Sequence, residues 1–260
     1  MDFAYTFAGF AVGFIVGMTG VGGGSLMTPI LVLVFGISPA LAVGTDLLYA
    51  AITKAGGIFV HHRNRTIDWK VVGLLALGSL PSSLLTIGLL DFLKRTGIDY
   101  EHLMASTLGV ALILTSFVLL FRSSLLALSA HESLAAVRAA HRRLQKPLTV
   151  LAGVALGAMV TLSSVGAGAL GAAILFFLYP RLRAIEIAGT DLAHAVPLTA
   201  IAGLGHAHLG TVDYMLLVSL LLGSLPGIYL GSHLGFRLPD KVTRPVLASM
   251  LLMIGLRLAL

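Results

Sequence analysis

Two breaks rich in glycine and small residues are the parts of this sequence best suited to chemistry. The first runs from Thr19 to Ser25 and the second from Ser163 to Gly168, and a short apolar stretch follows each. A helix that begins at such a break presents unpaired N–H groups and the positive end of its dipole, and glycine lets a ligand approach the backbone. Two such ends that converge would hold a small anion; the alternative is that the glycines only allow close helix packing. The candidate ligands are Thr19, Gly20, Gly22, Gly23, Gly24, Ser25, Ser163, Ser164, Gly166 and Gly168.

A pair of carboxylates forms the second candidate feature. Asp46 and Asp191 occupy two copies of a Gly-Thr-Asp-Leu motif, each about two turns into a predicted apolar helix. A carboxylate at such depth in a membrane is costly and indicates a function, and we expect proton coupling. The alternative is that each carboxylate caps the neighbouring short helix. Thr45 and Thr190 beside them are candidate substrate ligands or contacts between helices.

Lys54 and His194 are the remaining candidates. Lys54 is the only Lys or Arg well inside a predicted span, so we expect it to be a counter-charge for an anion or for a carboxylate. The alternative is that its side chain extends toward the membrane surface on the Arg63 side. His194 follows Asp191 by three residues on the same helix face, which indicates either proton coupling or a packing role. A metal-cation carrier that uses His194, His206 and His208 is the weakest alternative, because their spacing matches no common metal site. The sequence therefore predicts no metal or cofactor.

Helices embedded in a membrane must position these residues. Of 260 residues, 57% are hydrophobic and 11% are charged, about half the charged fraction of a soluble domain. The sequence has no cysteine, which excludes disulfides and thiolate metal sites. Two of the ten predicted helices, 25–36 and 168–179, are too short to cross a hydrocarbon core of about 30 Å. The ten lie at 3–19, 25–36, 39–60, 68–92, 102–121, 147–162, 168–179, 184–207, 212–235 and 241–259.

The basic residues predict how the helices are oriented. They lie in short loops between apolar spans, so the net charge of +6 reflects membrane orientation and not nucleic-acid binding. If each short helix forms a hairpin with the helix before it, one membrane face collects 13 of the 17 Lys and Arg residues, and the other only Lys94, Arg95 and Arg257. The positive-inside rule favours that arrangement. It places both termini outside the cytoplasm and the segment 123–146 inside it, as an amphipathic surface connector or a plain soluble helix.

Four sequence blocks recur in the same order in both halves, at an offset of 144 or 145. Each half contains a hairpin and three spans, an odd number of crossings, so the second half is inverted relative to the first. We predict an all-α polytopic membrane protein with two inverted-topology repeats, 1–122 and 147–260, joined by the connector 123–146. Secondary transporters commonly have this architecture; a purely structural duplication is the alternative. The blocks are Thr19–Leu26 with Ser163–Leu170, Gly44–Leu47 with Gly189–Leu192, Thr66–Trp69 with Thr211–Tyr214, and Gly78–Pro81 with Gly223–Pro226.

The repeated motifs resemble those of the sulfite exporter TauE/SafE family. The resemblance rests on the Gly-Val-Gly-Gly-Gly break followed by Ser-Leu and Pro29, on the repeated Gly-Thr-Asp-Leu and on the repeated Gly-Ser-Leu-Pro. It implies transport of sulfite, sulfonates or related small anions across the bacterial inner membrane, commonly outward. The second break lacks a run of three glycines, so we expect the two halves to contribute unequally to the site.

Together these features predict a secondary transporter that exports a small oxyanion by alternating access, either proton-coupled or facilitated. An anion channel, or an importer of a carboxylate or thiosulfate, is the alternative. The sequence contains no paired metal ligands and no nucleophile–base pair, so we do not expect an enzyme. The expected partners are a small anion and the lipid bilayer, and a homodimer is an open option.

Overall fold

A computed structural model describes residues 3–19, 24–130, 135–234 and 240–259. These residues form ten helices and, within the described ranges, no strand. The predicted number and order of helices are confirmed. The helices are α1 (Phe3–Thr19), α2 (Gly24–Leu33), α3 (Pro39–Arg63), α4 (Trp69–Arg95), α5 (Glu101–Ala130), α6 (Ala135–Ser163), α7 (Ala169–Leu178), α8 (Ala184–His208), α9 (Tyr214–Leu234) and α10 (Asp240–Ala259).

Six of these helices are long and apolar enough to cross a membrane, namely α3, α4, α8, the 101–121 part of α5, the 144–163 part of α6 and the 214–233 part of α9. The short helices α2 and α7 have 10 residues each, about 15 Å of length, so neither crosses the bilayer alone. The chain is therefore an all-α polytopic membrane protein.

Helices α5 and α6 extend furthest beyond their predicted bounds. Helix α5 continues to Ala130 and α6 begins at Ala135, so both enter the predicted connector 123–146. The apolar pattern ends before the helices do, because Ser, Ala, Arg and Leu tolerate helical conformation outside the hydrocarbon core. Residues 131–134 and the side chains of 122–143 lie outside the described part, so the amphipathic surface connector stays a prediction.

Glycines allow two pairs of helices to pack in parallel with their backbones in contact. Helix α1 runs along α9 and α6 runs along α4. At each contact a Cβ on the glycine would overlap the neighbouring backbone, which is the close packing expected of GxxxG spacing. The contacts pair Gly9 with Leu220, Gly13 with Ser224, Gly153 with Leu75 and Gly157 with Ser79.

Helices α3 and α8, which are equivalent in the sequence repeat, pack against each other in opposite directions. Near the start of α3, Gly44 lies against the end of α8 at His206, whereas near its end His61 lies against Gly189 at the start of α8. Equivalent helices of an inverted repeat must run in opposite directions. The antiparallel packing therefore supports the predicted inversion.

The two ends of each predicted hairpin lie close together. Gln145, near the start of the spanning part of α6, donates to the Leu178 carbonyl at the end of α7 at 2.6 Å. In the first half, the Tyr5 ring in α1 lies 4.9 Å from the Phe35 ring just after α2. Entry and exit of the chain on the same side, as these contacts indicate, agree with a hairpin.

Candidate functional site

Lys54 of α3 reaches the second glycine-rich break from the opposite half of the chain. Its Nζ donates a hydrogen bond of 2.9 Å to the Ala167 carbonyl. The charges that act on it are those of Asp191 first and Asp46 second, although no ion pair joins these three side chains. Lys54 is half-buried. The structure thus brings together four features that the sequence singled out: the lysine, both carboxylates and one break.

The second break has a backbone that only certain residues adopt without strain. Gly166 and Gly168 have φ values of 125° and 137°, and Ser164 has 57°. The glycines tolerate this region because they lack a Cβ, whereas Ser164 is a strained exception. The Ser163 hydroxyl donates to the Met159 carbonyl at 2.6 Å and stabilises the turn locally. The Ser164 hydroxyl is buried and has no hydrogen-bond partner among the described residues.

Asp46 is fully buried and has a hydroxyl partner. Thr28, in the short helix α2, donates from its Oγ1 to Oδ2 of Asp46. The Thr28 N–H and the Ser164 hydroxyl also face this carboxylate, while Oδ1 accepts no hydrogen bond from the described residues. The sequence analysis missed Thr28. The available signal was its position as a polar residue in the apolar helix that follows the first break.

Asp191 is also buried but has different surroundings. Its Oδ1 lies against Gly171 in the first turn of α7, where any Cβ would overlap that oxygen. No described group donates a hydrogen bond to this oxygen. The residue of the second half that corresponds to Thr28 is Ala172, which has no hydroxyl. Asp191 accepts no N–H bond from α7, so the capping alternative gains no support at this position.

Thr45 and Thr190 use their hydroxyls to join helices. Thr45 accepts from the N–H of Asp213, and Thr190 accepts from the N–H of Asp68, each at 3.0 Å. These contacts tie α3 to the start of α9, and α8 to the start of α4. The structure therefore supports the helix-contact interpretation of the two threonines, and the substrate-ligand interpretation stays a prediction.

His194 contacts the first Gly-Ser-Leu-Pro motif. Its Nε2 lies 2.8 Å from the Ser79 hydroxyl, whereas its Nδ1 is buried and has no described partner. The equivalent residue in the first half is Tyr49, which faces Ser224 of the second Gly-Ser-Leu-Pro motif. The sequence analysis missed both serines as site residues, although their repetition was visible.

The other histidines give no support to a metal-cation carrier. Both ring nitrogens of His206 are engaged, Nδ1 with the Thr211 hydroxyl at 2.8 Å and Nε2 with the Thr161 carbonyl at 3.0 Å. His208 is exposed at the helix end. Across the described ranges, no group of three or more His, Cys, Asp or Glu side chains could hold a metal ion.

Much of the first break lies outside the described residues, namely Gly20, Gly22 and Gly23. Thr19, Gly24 and Ser25 belong to α1 and α2, but their side chains are not described. The predicted role of the first break in substrate binding therefore stays a prediction.

Comparison with known proteins assigns a family to this arrangement. The family model "Sulfite exporter TauE/SafE" matches residues 5–258. The chain is 41% identical over 260 residues to the probable membrane transporter protein YjnA of Bacillus subtilis (strain 168), covering 99% of this chain and 100% of that protein. It is 28% identical to the probable membrane transporter protein YdhB of the same organism, covering 94% and 97% of the two chains. It is 29% identical to the probable membrane transporter protein MJ0441 of Methanocaldococcus jannaschii, covering 95% and 91%. No solved structure matches the chain.

Proposed function

Because the chain belongs to the sulfite exporter TauE/SafE family of membrane transporters, we propose that it carries a small oxyanion outward across the bacterial inner membrane. Sulfite or an organosulfonate is the proposed substrate, and transport is proton-coupled and proceeds by alternating access. The observation that carries this proposal is the position of Lys54. Its ammonium group lies at the second break, where it donates to the Ala167 carbonyl.

The hydrogen-bond donors around the break suit an oxyanion. A lysine ammonium has three N–H donors, and the Ala167 carbonyl uses one of them. The Ser164 hydroxyl is a further donor, and the start of α7 adds the positive end of a helix dipole. The oxygens of a sulfite or sulfonate group can accept from several such donors at once.

The two carboxylates support the proton coupling. With Asp46, Asp191 and Lys54 all ionised, the group carries a net charge of −1, which would repel an anion. Protonation of one carboxylate removes that repulsion. A site that binds protons and the anion together therefore agrees with the charges present better than a site for the anion alone.

The packing of the halves supports alternating access. The antiparallel pair α3 and α8 connects the two halves, and each predicted hairpin packs along a helix of the opposite half. Movement of one repeat against the other would expose the break to each side of the membrane in turn. The clustering of basic loops supports placing both termini outside the cytoplasm.

Binding of anions to the purified protein tests the proposal. We expect sulfite or a sulfonate to raise the melting temperature more than sulfate, thiosulfate or acetate do, because a ligand that binds only the folded state stabilises it. Lys54→Met should lose the anion-dependent increase, measured against the melting temperature of the same variant without ligand.

The matched control is Lys70→Met, which removes an exposed lysine near the start of α4 and should bind anions as the wild type does. The proposal is wrong if no anion of this panel stabilises the wild-type protein. It is also wrong if Lys54→Met retains the full increase.

A further inference from the structure

The two buried carboxylates occupy equivalent positions in the repeat but differ in hydrogen bonding. Asp46 accepts from the Thr28 hydroxyl, and the Thr28 N–H also faces it. Asp191 has no described hydrogen-bond donor, and its free Oδ1 lies against the bare Cα of Gly171. A buried carboxylate is stable in its ionised form only with donors or a cation around it. Among the described residues, Thr28 donates to Asp46 and none donates to Asp191.

Lys54 is the one compensating charge for both carboxylates in the described part. An anion that enters the site would bind the same Lys54 ammonium group. Asp191 would then lose part of its compensation, while Asp46 would keep its hydroxyl partner. The carboxylate without donors is therefore the one that anion binding forces to take up a proton.

Charge counting gives the number of protons. The ionised group of two carboxylates and one ammonium carries a net charge of −1. A monoanion lowers the charge by one, and one proton restores the charge of the ligand-free site, whether that charge is −1 as in the wild type or zero as in Asp46→Asn. We infer that Asp191, and not Asp46, takes up one proton from water as the anion binds, so that anion and proton occupy the site together. The inference rests on the proposed function, and the bond formed is O–H at the Asp191 carboxylate.

Other titratable groups near α8 have at least one partner each, although Nδ1 of His194 has none among the described residues. Three of them lie near its first half: Asp68 accepts from the N–H groups that begin α4, His61 bonds to the Thr66 hydroxyl, and Glu186 pairs with Arg183 at 2.8 Å. His194 bonds to Ser79 through Nε2. Helix α7 has no titratable residue, and the spanning part of α6 has only Lys146, near its start. Tyr49 of α3 faces Asp46 and Ser224. Asp191 is thus the acid without a donor.

The test measures proton uptake when the purified protein is saturated with methanesulfonate in a weakly buffered solution that contains a pH-sensitive dye. This probe stays ionised across the working range, so any proton taken up enters the protein; if sulfite alone binds, its own titration is subtracted. We expect the wild type and Asp46→Asn to take up about one proton per anion bound, and Asp191→Asn to take up none. In the wild type, affinity should fall up to tenfold per pH unit as Asp191 ionises, which is the linkage of one proton.

The outcomes distinguish the inferred proton uptake by Asp191 from the proposed binding of the anion. A wild type that binds the anion without proton uptake overturns the inference and leaves the proposed anion binding intact. Loss of uptake in Asp46→Asn, with uptake retained in Asp191→Asn, also overturns it. A wild type that binds no sulfonate or sulfite overturns the proposed function itself. If Asp191→Asn does not fold, Asp46→Asn alone decides, since retained uptake supports the inference and lost uptake contradicts it.

Discussion

The threonine contacts of the two Gly-Thr-Asp-Leu motifs join the halves at two equivalent places, whereas the contacts around Lys54 occur once. Thr45 binds the N–H of Asp213 and Thr190 binds that of Asp68, at the same distance of 3.0 Å. Around Lys54, by contrast, the equivalent residue is Thr199, which donates within its own helix to the carbonyls of Ala195 at 2.9 Å and Val196 at 3.2 Å. The helix contacts made by Thr45 and Thr190, here called the scaffold, are therefore the same in both halves. The group of Lys54, Asp46 and Asp191, here called the centre, differs between the halves.

This difference separates the roles of the residues. Because the two halves are inverted copies, the contact between them needs the same geometry at two places. The repeated Gly-Thr-Asp-Leu motif supplies that contact at both. A single small anion needs only one ammonium group, and a second lysine would add a buried charge that is costly to compensate. We therefore expect substitutions in the scaffold to have matched effects in the two halves, and substitutions at the centre to have unmatched ones.

The largest effect is expected where the helix backbones touch. Gly78→Leu and Gly223→Leu should both prevent folding, because a Cβ at Gly78 would overlap the Val150 carbonyl and one at Gly223 would overlap that of Thr6. Such overlaps cost more than about 4 kcal/mol when the obstacle is backbone. Fluorescence-detected size-exclusion chromatography should show no monodisperse peak.

Gly73→Leu is the control for this prediction, because no atom lies within 4 Å of a Cβ at that position of the same helix. It should give a normal peak. A normal peak for either of the other two variants would contradict the packing described here.

The second effect separates Lys54 from its equivalent. Lys54→Met should weaken anion binding by about thirtyfold or more, since removal of one charged partner from a buried site costs about 2–5 kcal/mol. Thr199→Val should leave anion affinity unchanged, because the Thr199 hydroxyl serves only its own helix. Titration of both purified variants with sulfite provides the comparison, and equal losses in the two would contradict an asymmetric centre.

A smaller effect is expected at Thr28. Thr28→Val removes the hydroxyl donor from Asp46, and loss of a hydrogen bond to a charged group costs about 1.5–3 kcal/mol. The melting temperature should fall, with a larger fall at high pH where Asp46 is ionised. The matched change, Ala172→Ser, adds a hydroxyl where the second half has none and should not lower stability at high pH. An identical loss at low and high pH for Thr28→Val would show that its hydroxyl does not serve an ionised carboxylate.

The smallest effect should be the same in both halves. Thr45→Val and Thr190→Val each remove one acceptor from a backbone N–H, at a cost of about 1–3 kcal/mol. The two melting temperatures should fall by similar amounts, and the double variant should fall by their sum because the sites are distant. A loss confined to one variant would break the symmetry inferred for the scaffold.

The sequence predicted the scaffold well for identifiable reasons. Long apolar runs and the positions of Gly and Pro marked all ten helices, with Pro39 for example at the first turn of α3. The ends of α5 and α6 were missed because hydropathy marks where the bilayer ends and not where the helix ends.

The centre was predictable only through its charges. Lys54, Asp46 and Asp191 stood out because ionisable residues are rare in membrane spans. Thr28 and Ser79 did not stand out, because hydroxyl residues are common in such helices and their partners, Asp46 and His194, are 18 and 115 residues away. Asp46 has a hydroxyl donor and Asp191 has none in the described part because Thr28 of α2 packs against α3. This packing is a tertiary contact, which no local sequence pattern encodes.

The most direct test of the central claim is sulfite flux in proteoliposomes that contain the purified protein. The account predicts flux that saturates with sulfite concentration, responds to an imposed proton gradient and disappears in Lys54→Met, while Lys70→Met transports normally. Flux that rises linearly with concentration, ignores the proton gradient or persists in Lys54→Met would contradict a proton-coupled carrier centred on Lys54.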